Sequence, residues 1–113
     1  MAHYLVRQGY GPEWNPARPR RAQVGWTEHA AFMDALAERG VVLIGGPLGE
    51  DVNTGDALLV VVAEDENAVR AMLAADPWDG RVLSTTSVER WNLWLRSPAL
   101  AASAHDRPSG TNR

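Results

Sequence analysis

Residues 56–77 read DALLVVVAEDENAVRAMLAADP and hold a strand, a helix start and a helix stop in one run. Ala57 to Ala63 is continuously apolar and rich in valine, the pattern of a strand covered on both faces. Asp65 follows as a helix N-cap, because a short carboxylate accepts hydrogen bonds from the open N–H groups of a first turn. Beyond it Val69, Met72 and Leu73 recur at helical spacing and define one apolar stripe. Pro77 has no N–H to donate and ends the helix at Asp76.

The flanking sequence supplies the other elements. Upstream, residues 41–46 (VVLIGG) form a second apolar strand, and Pro47 to Gly55 is a turn region. The glycine-rich GGPLG at 45–49 follows no phosphate-loop pattern and reads as part of a hairpin turn. Residues 25–40 (GWTEHAAFMDALAERG) predict a helix, with Thr27 as N-cap and Gly40 as the stop. Residues 3–9 (HYLVRQG) alternate and predict the first strand. Between them, residues 10–25 contain three prolines and two glycines, a connection long enough to suggest that it covers a site. Downstream, PWDG is a turn and residues 81–95 (RVLSTTSVERWNLWL) predict a long fourth strand. The segment 97–113 is rich in Ala, Ser, Pro and Gly and predicts a flexible tail after a single domain at 1–96.

The order is β-α-β-β-α-β, the ferredoxin-like α+β arrangement: a four-stranded antiparallel sheet with two helices on one face. Strands two and three are apolar on both faces, yet two helices cover only one. A second copy packed against the exposed sheet face, as a homodimer, resolves that mismatch. Trp91, Leu93, Trp94 and Leu95 at the end of the fourth strand are apolar enough to join such an interface.

Composition narrows the function classes. The 113 residues are 45% hydrophobic and 22% charged, with a formal net charge of −3. A small negative charge argues against nucleic acid as a partner. The absence of cysteine excludes disulfides, a thiolate nucleophile and thiolate metal ligands. No apolar run reaches the roughly 18 residues of a membrane helix, and the N-terminus lacks a signal-peptide core, so a cytoplasmic location is expected. His3 and His105 have no partners at ligand spacing, so no metal site is predicted. Ser84, Thr85, Thr86 and Ser87 show no nucleophile signature.

One polar residue interrupts each helix stripe. Counting back from Leu36 through Met33 and Phe32 gives His29, in the first turn of the first helix. Continuing the second stripe past Leu73 gives Asp76, in the last turn of the second helix. The two helices of this fold are antiparallel, so those ends lie at the same end of the molecule. A carboxylate accepting from one imidazole nitrogen fixes the tautomer and presents the other nitrogen as a general acid or base. Plainer readings stand beside this: a hydrogen-bonded structural histidine, and an Asp-Pro turn start. Trp78 is a candidate pocket wall or a core aromatic. The basic run ARPRR at 17–21, beside Trp14, reads as a solvated loop, with a clasp for an anionic substrate as the alternative.

Four segments carry a family resemblance: EHAAFMDAL (28–36), GGPL (45–48), LLVVVAEDENAVRAMLAADPW (58–78) and SVERWNLWL (87–95). In order and spacing they resemble the YciI-like (YCII-related) family of small dimeric α+β-barrel proteins, over about residues 3–95. The resemblance implies a His-Asp site at His29 and Asp76. It also implies elimination or dehydrohalogenation of a hydroxylated aromatic, in a superfamily that includes cofactor-free oxygenases and isomerases. The chain departs from the shortest members in its long first loop, whose Trp14 and Trp26 are expected at the pocket mouth.

The expectation is a small homodimeric, cofactor-independent enzyme of lyase, isomerase or dehydrohalogenase type. His29 and Asp76 are its acid/base pair, and Trp14, Trp26 and Trp78 its substrate contacts. The rival is a non-catalytic ligand-binding or interaction module on the same dimer.

Overall fold

The computed structural model describes residues 1–99. The strands are β1 (Ala2–Tyr10), β2 (Val42–Pro47), β3 (Ala57–Ala63) and β4 (Leu83–Arg90). The helices are α1 (Trp26–Glu38) and α2 (Glu66–Leu73), with a 3₁₀ turn at Arg20–Ala22. The sheet order is β2-β3-β1-β4, antiparallel throughout, so the βαββαβ ferredoxin-like architecture is the one observed.

Strand alternation sorts the side chains. Tyr4 and Val6 of β1, Leu59 and Val61 of β3 and Val88 of β4 are buried in one cluster with Met33 and Leu36 of α1 and Val69 and Leu73 of α2. Both helices therefore cover the same face. Leu5 pairs with Val60 and Arg7 with Leu58 on the opposite face, where Ile44 of β2 also pairs with Val60. That face carries no helix, and Ile44 is exposed.

Three boundaries differ from the sequence expectation. Helix α1 is capped by Gly25, not Thr27: Gly25 adopts φ 79°, and its carbonyl accepts the first helical bond, from the His29 N–H. Helix α2 stops at Leu73, short of Asp76. The chain tightens there, with Asp76 N–H donating to the Leu73 carbonyl at 2.9 Å. The residue before a proline avoids helical backbone, which accounts for the early stop. The Asp65 cap does form, accepting from Ala68 N–H at 2.8 Å. Finally, β4 ends at Arg90. Trp91 N–H still reaches the His3 carbonyl at 2.9 Å, but β1 begins at Ala2 and offers few further rungs. Trp94 and Leu95 project 94% exposed. The predicted tail lies largely outside the described residues.

The 10–25 connection is an ordered strap. Gly11 N–H donates to Val82 O and Glu13 N–H to Arg81 O, which carry it off the sheet alongside the start of β4. Gln23, 3% exposed, then staples it: its Oε1 accepts from Asn15 N–H, and its Nε2 donates to the carbonyls of Asn15 and Arg18.

Gly25 links strap, helix and site. A Cβ there would lie 3.3 Å from the indole nitrogen of Trp78, on backbone that L-residues disfavour. Gly25→Ala is expected to cost about 1–2 kcal/mol in chemical denaturation, against almost no change for alanine at Gly46, whose would-be Cβ meets open space.

Candidate functional site

His29 enters the core from the first turn of α1, and Asp76 from the turn after α2. Although 47 positions separate them, the imidazole Nδ1 lies 2.9 Å from both carboxylate oxygens. A carboxylate can only accept, so this contact favours the tautomer in which Nδ1–H donates to both oxygens. His29 is 7% and Asp76 5% exposed, so water competes little for this contact. Asp76 is itself fixed: its Oδ1 accepts the Trp78 N–H at 2.9 Å, across the proline that ended the helix. The Asp-Pro turn and the helix stripe thus converge on one contact.

Trp78 completes the mount. Its ring stacks on the imidazole with centroids 4.0 Å apart and planes 8° from parallel. Its indole N–H donates to Val24 O at 2.7 Å. At 1% exposure it is the back wall of His29 and does not line the cavity. Trp26 does line it, with its ring tilted against both His29 and Trp78. Trp14 packs against the same Trp78–Val82–Leu83 cluster but does not line the cavity; it lies edge-on to Tyr10 with the guanidinium of Arg20 over its ring. Of the three tryptophans expected at the substrate, only Trp26 reaches the cavity.

The cavity is about 620 Å³, within the range of small-molecule pockets. Gln8, Val42 and Leu59 come to it from the sheet; Trp26, His29, Met33 and Asp34 from α1; Arg20 and Arg21 from the strap; Val52 and Asn53 from the β2–β3 connection. With Nδ1 committed to Asp76, Nε2 is the imidazole nitrogen left for an occupant. Gln8, an inward-pointing polar residue of β1 that is 8% exposed, is not among the residues expected at the site from the sequence. Its alternation with Tyr4 and Val6 was the available signal. Arg20 belongs to the run ARPRR, for which the sequence offers a solvated loop or an anion clasp.

Among the described residues no group of three or more His, Cys, Asp or Glu is placed to hold a metal ion, and no helix is long and apolar enough to cross a membrane.

No family model matches the chain, and no curated protein matches it. Among solved structures it is similar to the 5-chloro-2-hydroxyhydroquinone dehydrochlorinase (TftG) of Burkholderia phenoliruptrix AC1100, in complex with 2,5-dihydroxybenzoquinone. The TM-score is 0.53, at 24% identity over 81% of this chain and 94% of that one. This chain shares that enzyme's fold.

A second carboxylate lies near the pair. The Asp79 carboxyl is held above its ordinary pKa, first by partial burial and then by the negative charge of Asp76. A carboxyl whose folded pKa is raised binds its proton more tightly when folded, so stability falls as pH rises through that range. Asp79→Asn is expected to raise the melting temperature at pH 7 by about 2 °C. The gain should shrink as the pH falls far enough to protonate Asp79 in the wild type, as scanning calorimetry across pH 3–7 checks.

Proposed function

We propose that the protein is a small general acid/base enzyme of lyase, isomerase or dehydrohalogenase type, acting on a hydroxylated aromatic molecule, and a relative of the YciI-like proteins. The observation that carries the proposal is the buried Nδ1–carboxylate contact on a histidine that lines the cavity. Asp76 holds the proton on Nδ1, which makes Nε2 of the neutral ring a bare acceptor. Nε2 takes a proton from an acidic C–H or O–H of the substrate. The electron pair left behind moves into the conjugated system. A proton returned at another carbon completes an isomerisation; a halide leaving with its bonding pair completes an elimination. Neither course requires an oxidant, so both suit a site of this composition. The fold shared with a dehydrochlorinase supports the elimination course and the aromatic substrate class.

His29→Ala is expected to abolish turnover while the protein stays folded by circular dichroism. Asp76→Asn is the sharper variant. The amide still accepts the Trp78 N–H, but towards the imidazole it presents a donor, which favours the tautomer with the proton on Nε2. Turnover by Asp76→Asn should fall by about 10²–10⁴, the range of general-base contributions. Activity of either variant within threefold of wild type would remove His29 and Asp76 from the chemistry, and no turnover by the wild type across a panel of halogenated and hydroxylated phenols would reduce the protein to a ligand-binding module.

The proposal includes a homodimer through the helix-free sheet face. Leu5, Ile44, Leu58, Val60 and Val62 share that face, which no helix of the chain covers and on which Ile44 is exposed. Sedimentation equilibrium at micromolar concentration is expected to return twice the chain mass of 12.3 kDa, and Leu58→Lys to shift the protein towards monomer. A wild type that is monomeric under those conditions contradicts this part.

A further inference from the structure

Arg20 is 7% exposed and lines the same cavity as His29. Long cations are rarely buried this far unless paired, and Arg20 belongs to none of the ion pairs found among the described residues, His29–Asp76, Arg70–Glu66 and Arg81–Glu13. Its partners are neutral. Nε–H donates to the Val52 carbonyl at 3.0 Å and Nη2 to the Thr54 carbonyl. Its backbone N–H donates to Asn53 Oδ1 at 3.2 Å. The Trp14 ring supports the guanidinium carbon from 5.5 Å.

Among the described residues these contacts use two of the guanidinium's five N–H donors, and no carboxylate there lies within ion-pair distance of it. Burial lowers the Arg20 pKa, against the opposing pull of Tyr10 and Asp56, the expected signature of a cation held away from water. Arg21, from the same 3₁₀ turn, adds a second cation to the lining, with its guanidinium carbon 5.9 Å from the Trp26 ring centre. Asp34 of α1 is the carboxylate in the lining.

We infer that Arg20 is an anion anchor, so that the aromatic substrate carries a carboxylate or an equivalent planar oxyanion. A guanidinium with free donors matches the two oxygens of a carboxylate in a fork. Bound there, the anion fixes one end of the ring while another position is offered to His29 Nε2. Arg20 thus selects and positions the substrate, and the proton transfer stays with His29. The inference rests on the proposed aromatic substrate class but is tested apart from turnover.

The test compares two probes of nearly one shape and different charge: 2,5-dihydroxybenzoate and 2,5-dihydroxybenzamide. Dissociation constants are measured by calorimetry at pH 7 on wild type, Arg20→Met, Arg20→Lys, Arg21→Met and His29→Gln. Wild type is expected to favour the benzoate by about tenfold or more. Arg20→Met should lose that preference while its affinity for the amide stays within about twofold. Arg20→Lys should keep part of it, and Arg21→Met and His29→Gln most of it. An Arg20 that merely clamps the strap to the β2–β3 connection would weaken both probes equally, and that result overturns the inference. So does equal affinity of wild type for the two probes, or no binding of either at millimolar concentration. Should Arg20→Met not fold, the wild-type Arg20 Nε–H signal decides: it must shift with the benzoate and not with the amide. Loss of turnover in His29→Gln with the benzoate preference intact separates this inference from the acid/base reading.

Discussion

A carboxylate buried to 5% exposure must satisfy its oxygens with protein donors, and Asp76 does so with one group from 47 positions away and one from its own turn. One is the His29 Nδ1–H, the other the Trp78 N–H. That requirement orders the whole end of the molecule. It fixes how the Asp-Pro turn is folded and where the first turn of α1 must lie. Trp78, drawn in by the same turn, stacks on the imidazole and donates to Val24, which ties the strap to the helix start beneath it. A bond of this kind, charged and shielded from water, is worth about 1.5–3 kcal/mol, and much of the local geometry follows from it.

The site repeats one device twice. Trp78 stands behind His29, and Trp14 lies beneath Arg20. In both cases a tryptophan that itself stays out of the cavity backs a polar group that lines it, stacked plane on plane for His29 and 5.5 Å from the guanidinium carbon for Arg20. Rigid aromatic backing restricts the polar group to one orientation, which is what a proton-transfer group or an anion anchor requires. The strap, stapled by Gln23, brings Arg20 to the cavity and so gives this chain a wall that a shorter loop would lack.

The fold was legible because each element carried a local signal that agreed with the next. The valine run of β3, the Asp65 cap and the Val69–Met72–Leu73 stripe each point to one structure. The His29–Asp76 contact was legible through topology, since antiparallel helices bring those two ends together. The boundaries were less so. Thr27 is a good cap by type, but Gly25 takes it because its positive φ lets the strap turn into the helix beside Trp78. The Trp91–Leu95 run has the composition of a strand, yet pairing depends on a neighbouring strand, and β1 has nearly run out. Arg20 shows where local sequence runs out. In ARPRR a solvated loop is the first reading and an anion clasp the alternative, and the carbonyls of Val52 and Thr54, more than thirty residues away in sequence, draw it inward. Nothing local to a basic run records such partners.

The most direct test of the account is the tautomer of His29. Long-range proton–nitrogen correlation spectra of the protein, recorded at a pH where the imidazole is neutral, locate the ring proton. The account requires it on Nδ1, held by Asp76, with Nε2 bare and facing the cavity. A proton on Nε2 in the wild type would contradict it, because the nitrogen available to an occupant would then be a donor with no base to offer.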